Sequence, residues 1–84
     1  MPEVINEVVC EIVTQKLKVR FGETIFNTII CKHREFDNIL EEVGIILDLF
    51  IEDEEVEEIV TVQDLIDVCE RLKKEKEGKE EQNG

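Results

Sequence analysis

Serine is absent from this chain of 84 residues, and so are alanine, tryptophan and tyrosine. Without serine, no chemistry or modification that runs through a seryl hydroxyl is open to it. Bases are scarce: 10 Lys and Arg stand against 22 Asp and Glu, a net charge of −12. Such a field repels nucleic acid phosphates and anionic lipid, and it favours basic protein surfaces. No apolar run reaches the roughly 18 residues of a membrane span. The start Met-Pro-Glu is not that of a signal or transit peptide. Cys10, Cys31 and Cys69 are odd in number and far apart, which suits no disulfide framework. A reducing, cytoplasmic compartment is the expectation. Glycine is missing between Ile45 and Gly78, which removes the sixth-position turn that an EF-hand would need in the acidic stretch.

Valine, isoleucine and leucine make up most of the apolar content, which is 42% of the chain. That composition suits one small folded domain with a limited core. The charge is segregated. Fourteen acids and no Lys or Arg lie between Glu35 and Glu70, whereas five bases and one acid lie between Lys16 and Arg34. The basic segment balances the acidic half, within the domain or across a homodimer.

Residues 3 to 17 read as a helix, with Val8/Val9, Ile12/Val13 and Leu17 on one side and Glu7 and Glu11 on another. Residues 18 to 34 read either as a hairpin at about 18–31 or as a loop with Ile25, Phe26, Ile29 and Ile30 tucked inward. A second helix runs from 35 to about 49 on the stripe Phe36, Ile39/Leu40, Val43 and Ile46/Leu47. Gly44 inside it marks a close approach. Six acids in residues 52 to 58 form a short helix or turn with Val56 and Ile59 inward. Thr61, with Asp64 three residues on, reads as a capping box that opens a last helix on Leu65, Ile66, Cys69 and Leu72. The low apolar content from 73 to 84 reads as a charged, disordered tail after a domain at 1–72.

Three longer helices with a short acidic one before the last form an order that resembles the acyl carrier protein family. The residues that carry the likeness are Asp53-Glu54-Glu55, Ile59, Thr61-Val62-Gln63 and Leu65-Ile66-Asp67. The match is close over 53–72, looser over 4–19 and 36–51, and poor over 20–35. The resemblance implies an all-α, acyl-carrier-like helical bundle. The alternative is an α+β domain built on the hairpin at about 18–31.

In that family a serine in an Asp-Ser-Leu setting, at the start of the second helix, carries phosphopantetheine. The corresponding position here falls near His33 and Arg34, within Lys32-His33-Arg34-Glu35. Phosphopantetheine joins a hydroxyl as a phosphodiester, so Cys31 and His33 cannot take it. Thr28 has a hydroxyl in a different setting. The expectation is therefore a non-enzymatic protein with no cofactor and no metal site, since neither a C-x₂-C pair nor a nucleophile with its base is present.

The resemblance also implies docking through an acidic face. Its members would be Asp37, Glu41, Glu42 and Asp48 on the second helix and Glu54, Glu55 and Glu58 on the third. The partners would be proteins with basic surfaces, which the family finds among the enzymes of fatty acid biosynthesis. Two other readings stay open. One is a working carrier modified at an unusual residue such as Thr28. The other is an unrelated acidic adaptor or structural subunit.

Overall fold

The computed structural model describes residues 4–18 and 26–83, with side chains as far as residue 76. Four helices follow one another: α1 (Ile5–Leu17), α2 (Phe36–Leu47), α3 (Asp53–Glu58) and α4 (Val62–Asn83). The molecule is a small all-α bundle, with three longer helices and a short one before the last. No strand occurs among the described residues. Half of the expected hairpin, residues 19–25, lies outside the described residues. Within the rest, Phe26 and Asn27 form a short 3₁₀ turn. The extended residues that follow pair with the approach to α4 instead of with each other. Ile29 bridges Thr61, the Ile30 N–H donates to the Val60 carbonyl at 2.8 Å, and Val62 N–H donates to the Thr28 carbonyl at 3.1 Å. This clamp holds Ile30 in the core with no exposure.

The core is drawn from three helices and two connecting residues. Val9, Cys10, Ile12 and Val13 of α1 meet Phe36, Ile39, Leu40, Val43 and Leu47 of α2, and Val62, Leu65, Ile66, Val68 and Cys69 of α4. Ile30 and Ile59 complete it. α1 packs against both α2 and α4. Each fully buried aliphatic side chain contributes about 1.5–3 kcal/mol relative to exposure. α3 buries no residue fully; Val56 alone packs against the core from it. No buried side-chain nitrogen or oxygen is left without a hydrogen bond among the described residues.

The helix ends follow from local chemistry. Thr61 Oγ1 accepts the Asp64 N–H at 3.3 Å, and Asp64 Oδ2 accepts the N–H groups of Val60 and Thr61, each at 3.1 Å. The expected capping box is therefore formed, with Asp in the place of Glu. At the end of α2, Asp48 turns left-handed at φ 56° and ψ 51°. Leu49 N–H then donates to the Gly44 carbonyl at 2.8 Å and Asp48 N–H to the Ile45 carbonyl at 3.3 Å, the two bonds of a Schellman motif. A Cβ on Gly44 would lie 2.9 Å from the Leu49 carbonyl oxygen. The close approach at Gly44 is thus to its own capping turn.

The expected boundary at residue 72 falls inside α4. Lys and Glu are good helix formers, so the sequence that lacks apolar residues still supports helical backbone. No helix among the described residues is long and apolar enough to cross a membrane.

Candidate functional site

Asp37, Glu41 and Ile45 recur every four positions and so share one face of α2, and Asp48 follows in the left-handed turn that ends the helix. Asp37 and Glu41 are exposed and have no ion pair among the described residues. Glu42 lies one position round the helix, where Lys16 of α1 meets it at 3.4 Å. On α3, Glu55 and Glu58 share a face and both reach Arg71 of α4, at 4.0 and 3.7 Å. Glu54 is exposed, again without an ion pair among the described residues. The seven expected acids therefore divide. Asp37, Glu41 and Glu54 face solvent, while Glu42, Asp48, Glu55 and Glu58 hold cations of their own chain.

Asp48 has the most elaborate partner set. α2 has no basic residue in its last turn, so nothing on that helix offsets the negative end of its dipole. α4 supplies the charge instead. Lys76 Nζ binds the Asp48 carboxylate and donates to the Asp48 carbonyl at 3.0 Å, and Lys73 Nζ reaches the Leu47 carbonyl at 3.5 Å. The hydrogen bond and charge of Lys76 hold the Asp48 carboxyl below the usual aspartate range.

Beside these acids lie apolar side chains in contact with water. Phe50 is 79% exposed, Ile45 71% and Ile46 46%. Two open clefts, of about 570 and 600 Å³, flank Phe50. One is lined by Leu40, Gly44, Ile45 and Ile51 with Glu41 at its edge; the other by Leu72 with Glu52, Glu55 and Glu75. Asp48, Leu49 and Phe50 line both, so the two clefts join into one surface on which Glu41, Asp48, Glu52 and Glu55 lie beside Ile45 and Phe50. The acidic pattern alone does not point to Ile45 and Phe50. The signal for them is the run Ile45-Ile46-Leu47-Asp48-Leu49-Phe50-Ile51, which holds more apolar residues than one helix face and its turn can bury.

His33 and Arg34 are exposed in the turn before α2, and Glu35 N–H donates to His33 Nδ1 at 3.0 Å. Thr28 is half-buried in the clamp against residues 60–62. Cys10 and Cys69 are buried in the core, and all three cysteines are free. Burial, aided by Glu70, pushes the Cys69 thiol up to about 12, which leaves almost no thiolate at neutral pH. Burial raises Cys10 as well. No group of His, Cys, Asp or Glu among the described residues is placed to hold a metal ion. No family model matches this chain, and neither does any curated protein or solved structure.

Proposed function

We propose that this chain is a non-enzymatic, acyl-carrier-like protein that acts by docking to other proteins through α2 and α3. The observation that carries this reading is the pair of clefts that meet at Phe50, lined by apolar side chains and by acids at or next to α2 and α3. Asp37, Glu41 and Glu54 present charge with no ion pair among the described residues, and Glu41 lines a cleft together with exposed Ile45 and Phe50. Free carboxylates around an apolar patch orient and speed the approach of a basic partner, and the apolar contacts then hold it. Support for the carrier-like part comes from the helix order and from the Thr61–Asp64 cap. The turn at His33 and Arg34 also lies where the family places its serine, directly before α2. With no serine in the chain, that position offers no hydroxyl for a phosphopantetheine arm. The partners implied by the likeness are enzymes of fatty acid biosynthesis, met in the cytoplasm.

Crosslinking capture tests the reading. The native chain is compared with a variant carrying Asp37→Asn, Glu41→Gln and Glu54→Gln, positions whose exposure makes the changes compatible with folding. Acyl-transfer enzymes recovered with the native chain and lost with the variant are expected. An identical set of partners with both would overturn it. Intact mass after incubation with coenzyme A and a phosphopantetheinyl transferase should be unchanged. A gain of one arm, at Thr28 or elsewhere, would make the chain a working carrier.

A further inference from the structure

Phe50 lines two clefts, and acids contribute to the walls of both. Glu41 borders the cleft on the α2 side, and Glu52 the one on the α3 side. Lys76 also lines the second cleft, but its ammonium is held by Asp48. Gly44, kept small by its contact with the Leu49 carbonyl, leaves the first cleft open beside Ile45. The surface thus combines an apolar centre with anionic borders on two sides. We infer that the Ile45–Phe50 groove takes a segment of a partner protein that carries an apolar anchor side chain with Lys or Arg on both flanks. This rests on the docking reading above and adds the part of the surface that sets affinity: the apolar centre, not the free acids.

Charge decides among the occupants. A second copy of this chain would bring its own net charge of −12 against the same acidic borders. An anionic or neutral segment would leave Glu41 and Glu52 without counter-charge as their water is displaced. A cationic segment pairs with them and lets its apolar residue cover Phe50 and Ile45. Charges at the rim of such an interface mainly raise the on-rate, while a buried aromatic at its centre governs the off-rate.

The test uses two labelled peptides of equal charge. One has leucines at helical spacing among lysines; the other has alanine in place of every leucine. Anisotropy titrations at about 0.15 M salt limit long-range attraction to about 8 Å. The leucine peptide should bind about tenfold or more tightly than the alanine peptide and shift the NMR signals of Ile45 and Phe50. Phe50→Asp and Ile45→Asp, both on exposed side chains, should abolish that difference. Equal binding of the two peptides, or full binding by Phe50→Asp, would overturn the groove while leaving acidic docking intact. Binding of neither would overturn acidic docking itself. Dimerisation of the native chain in sedimentation experiments, lost in Phe50→Asp, would assign the groove to a second copy and overturn the inference.

Discussion

A single missing side chain shapes the end of α2. Gly44 adopts ordinary helical backbone, so the usual argument for glycine at a left-handed position does not apply to it. The left-handed residue is Asp48, and Gly44 is needed because the turn folds Leu49 back over it. Replacing an exposed helical glycine by alanine normally stabilises a protein by about 0.5–1 kcal/mol. Here the added methyl would meet backbone at 2.9 Å, and backbone cannot move aside as a flexible side chain does. Gly44→Ala is therefore expected to lower stability by about 1 kcal/mol, through strain in the capping turn. Urea unfolding measures it; a higher midpoint for the variant would show that the turn relaxes freely. The close approach was legible in the sequence as a glycine on a helix pattern. Its partner was not, because a turn that doubles back is set by backbone geometry beyond the reach of apolar spacing.

At the scale of elements, the cap on α4 joins sequence to pH behaviour. The N–H groups of Thr61 and Val60 stabilise the ionised form of Asp64 and hold its carboxyl below the usual aspartate range. A carboxyl depressed in the folded state contributes stability above the ordinary aspartate range, and loses it as pH falls through the depressed value. Asp64→Asn should therefore unfold at lower urea than the native chain at neutral pH, and the gap should close as the pH falls through the depressed value. Thr61→Ala, which removes the hydroxyl partner, should cost about 1 kcal/mol. A gap for Asp64→Asn that persists unchanged in acid would assign the cap to shape, not charge. This element was readable from Thr61 and Asp64 alone, since a capping box is local. The clamp of residues 28–31 on 60–62 was not, since its bonds join backbone atoms some thirty positions apart in sequence. The division of the acids likewise depends on Lys16, Arg71 and Lys76, which spacing alone does not pair with Glu42, Glu55, Glu58 and Asp48.

For the whole molecule, an excess of twelve negative charges opposes four described ion pairs. Apart from the Glu55 carboxylate, which is mostly covered, their groups are at the surface, where a pair is worth about 0–1 kcal/mol and is weakened by salt. Repulsion among the unpaired acids acts in the other direction and is weakened by salt too. The two effects therefore predict opposite responses. From about 0.01 M to about 1 M sodium chloride the screening length shrinks from about 30 Å to about 3 Å, which removes most of both. Because the acids without an ion pair outnumber the pairs among the described residues, repulsion should win and the thermal midpoint should rise. A gain near 1 kcal/mol corresponds to about 4–8 °C for a domain of this size. A midpoint that falls with chloride would mean that the links from α4 to α2 and α3 hold the bundle more firmly than surface pairs usually do. The same arithmetic bears on docking: a basic partner relieves the repulsion it meets, so the chain should be stabilised by its partner most strongly at low salt. Neutralising Glu41, which borders the groove and has no ion pair among the described residues, should raise the midpoint of the free chain while weakening its encounter with a cationic peptide. Such opposite changes from one substitution would trace the excess charge to binding instead of folding.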